Sequence, residues 1–535
     1  MKTTLSFFSL GVSLAAIAAE PSLDLRGLAL NGTTSTAVER RVFADGEAAR
    51  YVLADGKRHI SGEETVWTLP EDATVWYSLE DSCYEGLWTE NVVREIPVGT
   101  RIGLPITAKL KDGTYRFISE ANVVDYTDSS VVYRGEGRFA VRYYADEKGF
   151  DQEGVAHTPW RVLGSFKDLN ALATSDIIRR LCPEPTPEVA ARAAEFVKPG
   201  RCIWHWLPDG APKFDHQKGW YDRTKAMGYE YYLVDEGWRG WRAEGRDQWS
   251  MLEEVVAYGN SIGVKSFVWV HSRELMKPEA RRAYLSRVKA LGAVGIKIDF
   301  MPPPSYRVMK WYEETSRDTL EIGLMLDYHG AVKPTGREKT WPHEVAREAI
   351  RGHEWHITRY DRVLPPAHDT ILPFTRLVQG HADYTPVVFN PCELVGYTWA
   401  HELAQGLVFS APFLCFGDYP ENYLKSAAVD LMRELPAVYD ETRVLPGSEI
   451  GQCVALAKRA GDDWYVAIEN GANPRQLKLA LDFLGDGEYE LLAFGDKRGG
   501  YIDAWQKETR TVTAKDALNV RMKPMGGYVA RLRRK

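Results

Sequence analysis

The sequence predicts an α/β protein: a (β/α)8 TIM-type barrel flanked by an N-terminal β-sandwich and a small C-terminal β domain. Three observations predict it. Between residues 229 and 330, four apolar runs end abruptly in a charged or imidazole side chain. They are YYLVDEGW at Asp235 and Glu236, VKSFVWVH at His271, VGIKIDF at Lys297 and Asp299, and GLMLDYHG at Asp327 and His329. Apolar runs separated by helical stretches are what a parallel sheet covered on both faces requires. On either side of this zone the text changes to short alternating strands broken by Gly, Asp and Asn turns, the pattern of antiparallel structure. A chain of 535 residues is also too long for one core, so two or three domains are expected.

Taken in order, residues 1–19 read as a signal peptide. Lys2 precedes the run LSFFSLGVSLAAIAA, and small residues near Ala19 suit cleavage. The run is too short for a spanning helix with a stop-transfer flank, so export to a periplasm or beyond is expected rather than membrane insertion. Residues 20–170 carry sandwich-like strands such as RRVFADG, TVWYSLE and RIGLPITAKL. Residues 171–430 hold a leading linker helix and then the barrel. Its helical segments QWSMLEEVVAYGNSIG and KPEARRAYLSRVKALG show apolar residues at three-and-four spacing and end at Gly. Residues 431–535 return to alternation in VALAKRAGDDWYVAIENG and YVARLRRK.

Composition narrows the partners. The net charge of -7 is small for this length, and the densest basic cluster is the terminal Arg531, Arg533, Arg534 and Lys535, so nucleic acid and anionic membrane are not expected. Aromatic content is high, and Trp204, Trp206, Trp238, Trp269 and Tyr328 fall near strand ends. Rings beside carboxylates suit a sugar cleft, because the axial C–H faces of a pyranose stack on aromatic planes. The six cysteines show no metal-ligand spacing. Cys202 and Cys415 lie in apolar runs and are expected to be buried thiols, with one or two disulfides possible elsewhere.

Barrel active sites lie at the C-terminal strand ends, so acids gathered there are the candidate catalysts. Asp299 ends VGIKIDF and is followed by Met-Pro-Pro-Pro, which prevents a helix from starting at once and argues against a capping role. Lys297, two residues earlier, points to the same side and would keep Asp299 ionised. Glu348 and Glu354 are six residues apart around Gly352. They are expected on a helix and on the strand after it, serving different tasks.

The succession DEGW at 235, GIKIDFM at 295, DYHGAVKPTG at 327, REAIRGHEW at 347, LPFTRLVQGHADYTP at 372 and GDYPENY at 417 resembles glycoside hydrolase family 97. The resemblance spans nearly the whole chain after the signal segment; family members usually carry more sandwich ahead of the segment that begins near Arg40, so either the sandwich is abbreviated or the chain start is misplaced. It implies a three-domain glycosidase with an oligosaccharide or glycoside as partner. Inverting members lack an acid at the end of the fourth strand and place a glutamate after the histidine of the DYH motif. This chain has Asp299 and Gly330, which places it with the retaining branch. The resemblance further implies Asp299 as nucleophile, Glu354 as acid/base, and Glu348 and Glu85 as ligands of a Ca2+ ion. Asp235, Glu236, His271, Lys297, Asp327 and His329, with Lys333 nearby, are expected to hold sugar hydroxyls. His368 and Asp383 are expected behind or beside them. The activity implied is an α-galactosidase, with β-L-arabinopyranosidase or α-glucosidase as alternatives. A reading from another class, a carbohydrate-binding protein on a degenerate barrel, would require one carboxylate to be missing.

Overall fold

The computed structural model describes residues 20–32 and 36–535; the expected signal segment, residues 1–19, lies outside them. Thirteen strands, from Ser22–Gly32 to Trp160–Phe166, build the N-terminal domain. They form two layers that share Arg101–Lys109, which pairs with Tyr115–Ala121 in one and Ser129–Tyr133 in the other. Between the layers lie Trp67, Val131 and Phe139 of one face and Val75, Ile118 and Leu163 of the other, as alternation in a sandwich requires. The Trp67 indole donates across the gap to the Val162 carbonyl at 3.0 Å, so the large ring is buried without an orphaned N–H.

Seven parallel strands form the barrel: Gly200–Trp204, Tyr231–Val234, Lys265–His271, Gly295–Asp299, Met325–Tyr328, Glu344–Arg347 and Phe413–Phe416. The first and last pair with each other, Cys202 opposite Cys415, while the sheet stays open between Glu344–Arg347 and Phe413–Phe416. Residues 383–388 occupy that gap, where the Asp383 amide reaches the Arg347 carbonyl at 3.4 Å and Pro386 accepts from Gly417 at 3.1 Å. Thr385 and Val387 hold φ values of 55° and 69°. A left-handed residue cannot continue a ladder, so the eighth strand of the regular barrel is replaced by an irregular segment.

Register stacks the barrel interior into an apolar floor and a polar upper layer. Phe267, Met325, Phe413 and Cys415 pack below, with the Phe267 and Phe413 rings stacked at 3.9 Å. Gly295 makes this possible, since a Cβ there would meet the Phe267 ring at 2.2 Å. Truncating Phe267 to Ala would leave a void costing about 3–5 kcal/mol. Two residues above Gly295 on the same face stands Lys297, opposite Trp269 and Asp327, and then Asp299, opposite His271. The Pro302–Pro304 run delays the next helix until Ser305, whose hydroxyl accepts from the Val308 amide. Helix Tyr306–Ile322 then runs to Gly323, which is left-handed at φ 87° and closes it.

The C-terminal domain is a six-stranded sheet faced by the two-stranded pair Arg475–Ala480 and Ala517–Met522. Barrel helix Trp399–Val408 lies against its strands Asp463–Asn470 and Gly527–Arg534. Gly527 permits the close approach, because a Cβ would fall 2.6 Å from the Ala400 backbone. All six cysteines are free thiols, so the disulfides left open by the sequence do not form. Among the described residues no helix is long and apolar enough to cross a membrane.

Lys333 sits where sandwich meets barrel, not among the sugar-holding groups. Its ammonium is fully buried against Asp128 at 2.5 Å, Glu120 at 2.7 Å and the Tyr84 hydroxyl at 2.9 Å. Arg161 continues the network to Glu120 and, at 2.6 Å, to Glu63. The network anchors Tyr84 and thereby the short loop that carries Glu85.

Candidate active site

A cavity of about 290 Å³ opens at the C-terminal ends of the barrel strands, walled by Trp204, Trp206, Phe300 and Trp355. Glu85, Asp235, Glu236, Asp299, Glu348 and Glu354 all face it, together with Lys297, His329 and Arg362. Glu85 comes from the sandwich. Arg351 donates to its backbone carbonyl at 3.1 Å and the Trp355 indole to its carboxylate at 3.3 Å.

Asp299 is built to stay charged. The Trp269 indole donates to one oxygen at 2.9 Å and the Phe300 amide to the other at 2.6 Å, with His329 Nδ1 3.4 Å away. Burial pushes its carboxyl up, but the charge and hydrogen bond of His329, with help from Lys297 and Trp269, outweigh burial and hold it well below the usual range. Lys297 is itself buried between Asp235 at 3.6 Å and Asp383 at 3.7 Å. Burial alone would favour its neutral form; the surrounding carboxylates reverse this and raise it well above the usual lysine range.

Glu354 stands in the opposite environment. Burial raises its carboxyl, and the neighbouring charges of Asp299 and Asp235 add to burial against the pull of His329 and Lys297. Glu348 is pushed up further, first by burial and then by Glu85. One Glu348 oxygen accepts from the Gly330 amide at 2.6 Å, while the other is buried with no hydrogen-bond partner. His329, Glu348 and Glu354 bring ligand atoms within 4.8 Å of one another. Burial lowers the imidazole of His329, yet Glu348 and Asp299 on either side raise it well above its ordinary value. Carboxyl groups that raise one another, with an orphaned buried oxygen, fit a hard cation. A hard cation prefers oxygen, so Glu348 in this cluster and Glu85 across the pit are the donors that suit it.

Other expected residues fall elsewhere. The His271 ring accepts from the Arg273 amide at 3.2 Å and does not line the cavity. Asp327 lies fully buried beneath it, its carboxyl raised by burial and by the charge of Asp383. His368 backs the wall through the Arg351 carbonyl at 2.8 Å. Glu348 follows strand Glu344–Arg347, and Glu354 sits in the 3-10 turn His353–Trp355, so the expected helix-then-strand order is not what forms. The carboxyls converge because Gly352 lets the chain turn tightly against Tyr384, whose carbonyl a Cβ would meet at 3.0 Å. Sequence reasoning passed over Trp355, Phe300 and Arg362. Trp355 was legible as the ring next to Glu354, whereas nothing local marks Arg362.

Gly330 has a further role in the geometry. A Cβ on it would meet Asp299 Oδ1 at 3.0 Å and the Phe300 amide at 3.1 Å, with φ at 53°. An acid at 299 in this pose and a side chain at 330 therefore compete for one space.

A pit lined by carboxyls and walled by aromatic rings, at the C-terminal rim of a parallel barrel, defines a glycosidase. Family comparison agrees along the chain. Residues 24–184 match the glycosyl-hydrolase 97 N-terminal model, 204–350 the glycoside hydrolase 97 model, and 438–533 the glycosyl-hydrolase 97 C-terminal, oligomerisation model. The chain belongs to glycoside hydrolase family 97. It is 30% identical over 509 residues to a probable retaining alpha-galactosidase of Streptomyces bingchenggensis, covering 92% of this chain and 76% of that one. It is 25% identical to a retaining alpha-galactosidase of Bacteroides thetaiotaomicron over 95% of this chain and 85% of that one. In fold it resembles the acarbose complex of a family 97 enzyme from Pseudoalteromonas sp. strain K8, with a TM-score of 0.83 at 20% identity, covering 96% and 92% of the two chains. A beta-arabinopyranosidase structure superposes with a TM-score of 0.81 at 22% identity over 95% and 91%.

Proposed function

We propose that the protein is an exo-acting retaining α-galactosidase working by double displacement through a glycosyl ester on Asp299. One observation carries the reading: two carboxyls face a single pit in opposed environments, Asp299 held ionised and Glu354 held toward its protonated form. Separated proton affinities of this kind are what a nucleophile and an acid require, and they support this division of roles. Asp299 attacks the anomeric carbon while Glu354 gives its proton to the departing glycosidic oxygen. Water then attacks the ester, Glu354 takes its proton, and Asp299 is released. A cavity of about 290 Å³ suits one terminal sugar rather than a chain running through. Asp235, Glu236 and the Trp204 and Trp206 rings would grip that sugar, and Lys297 would fix the charge balance beneath it.

The choice of galactose follows the names of the two relatives in sequence. Because β-L-arabinopyranose is galactose without the hydroxymethyl group, it is the second reading. Rates on para-nitrophenyl α-galactoside, β-L-arabinopyranoside and α-glucoside test both, and preference for the glucoside would defeat the assignment. Proton NMR should show the first-formed sugar with retained configuration; an inverted first product removes Asp299 from the nucleophile role.

A calcium ion on the oxygens of Glu85 and Glu348 would supply charge neutralisation and a template for sugar hydroxyls, leaving Glu354 free to carry its proton. The leader-like residues 1–19 support export. Fractionation of the source cells should find the activity outside the cytoplasm; activity confined to the cytoplasm would refute export.

A further inference from the structure

A second cavity, about 460 Å³, lies where the linker, the barrel and the C-terminal domain meet, and it shares no lining residue with the carboxyl-lined pit. Ser410 reaches it from just ahead of strand Phe413–Phe416 and Gln379 from just ahead of segment 383–388, so it opens at the N-terminal rim of the barrel. We infer that this crevice binds a small hydroxylated carboxylate, the size of a sugar acid, through Lys458, Gln379 and Tyr439.

Each of the three side chains has unused bonding capacity. The Lys458 ammonium, 7% exposed, donates to the Leu407 carbonyl and the Ser410 hydroxyl at 2.7 Å each and stands 5.1 Å from the centroid of the Tyr439 ring, which leaves one of its three donors without a hydrogen bond. Those two bonds account for a structural task, capping helix Trp399–Val408, and the carboxylate that acts on the ammonium, Glu469, does so by charge without a hydrogen bond. Burial pulls Lys458 down to about 7, with Glu469 the only opposing charge. Gln379 gives its amide N–H to Ser119 at 2.6 Å, while its carbonyl oxygen is buried without a partner. The Tyr439 hydroxyl is likewise buried and unpartnered.

The acids on the cavity wall do not neutralise the lysine. Asp176 pairs with Arg180, Asp440 with Arg459, and Glu441 with Arg443 and Arg459. An anionic head would therefore meet Lys458, and hydroxyls would meet the Gln379 and Tyr439 oxygens. Buried polar atoms without partners are costly, so an occupant that satisfies all three is favoured over an apolar one. Since the walls come from the linker, the barrel and the C-terminal domain, such an occupant would bind only the folded assembly and raise its stability.

D-Gluconate and its neutral counterpart D-sorbitol are the probes, used on the full chain at matched ionic strength. Gluconate should give saturable binding by calorimetry and raise the melting temperature, and sorbitol should do neither. Lys458→Met should weaken gluconate by on the order of tenfold or more, and Tyr439→Phe by about threefold, while Asp299→Asn binds it unchanged. Tyr439→Phe keeps the test open if Lys458→Met fails to fold. Equal responses to gluconate and sorbitol, no response at all, or full binding in both crevice variants would overturn the inference and leave the crevice holding ordered water.

Discussion

The molecule buries two charged clusters, and they are built on opposite principles. At the junction of sandwich and barrel, Arg161 and Lys333 meet Glu63, Glu120 and Asp128, and none of these side chains has a buried polar atom without a partner. At the barrel mouth, Lys297 and His329 face a larger set of acids, and oxygens of Asp327, Asp383 and Glu348 lack hydrogen-bond partners. A satisfied network fixes one arrangement of the chain. An acid-heavy, unsatisfied one holds stored binding capacity for protons, a cation and sugar hydroxyls, which is what a site needs and a joint does not.

The comparison breaks first at Asp299. Asp299→Asn should lower turnover by roughly 10⁴-fold or more, since the nucleophile is lost while the pit stays intact. The same change removes a carboxylate that His329, Lys297 and Trp269 hold ionised, so the melting temperature should fall by a few degrees only, because Asn keeps an oxygen for the Trp269 or Phe300 donor. Turnover near wild type would remove Asp299 from the mechanism, and a collapse in stability would show that the mouth is built like the joint. Lys333→Met is the converse. Leaving Glu120 and Asp128 without their shared cation should cost about 3–5 kcal/mol in denaturant unfolding. Turnover per folded molecule should change far less than in Asp299→Asn.

Gly330 sharpens the contrast within the site. Gly330→Ala places a Cβ against Asp299 Oδ1 in a left-handed backbone, so it should slow turnover by on the order of ten- to a hundredfold through displacement of the nucleophile. Its effect should appear in kcat more than in KM. A change in KM alone would mean that Gly330 only shapes the pocket.

The contrast also explains what the sequence could show. Strand ends at Asp235, Lys297, Asp299 and His329 were legible because parallel strands advertise themselves as apolar runs, and a charge at the end breaks the pattern visibly. His271 and Asp327 looked identical in the text. The register sends the one ring to the rim and the other carboxyl under the pit, and only pairing reveals that. Lys333 reads like a site residue because it follows His329 closely, yet its partners Glu120 and Asp128 lie more than two hundred positions earlier. The irregular segment 383–388 could not be read either. Left-handed Thr385 and Val387 are β-branched residues held there by tertiary packing against their propensity.

The smallest effect concerns the cation. In its absence burial and the neighbouring acids raise Glu85 to about 7, above the 4.5 of an unperturbed glutamate. The folded state then binds a proton more tightly than the unfolded chain. The stability from this group is full below pH 4.5 and is lost as pH rises through 7. A divalent cation replaces that proton, so it should stabilise most where the proton is gone. Melting curves of chelated protein should therefore fall between pH 5 and pH 7.5, and added calcium should raise the melting temperature more at pH 7.5 than at pH 5. An equal gain at both values would place the ion away from Glu85, and no gain at either would mean that His329 and Lys297 supply all the positive charge the mouth requires.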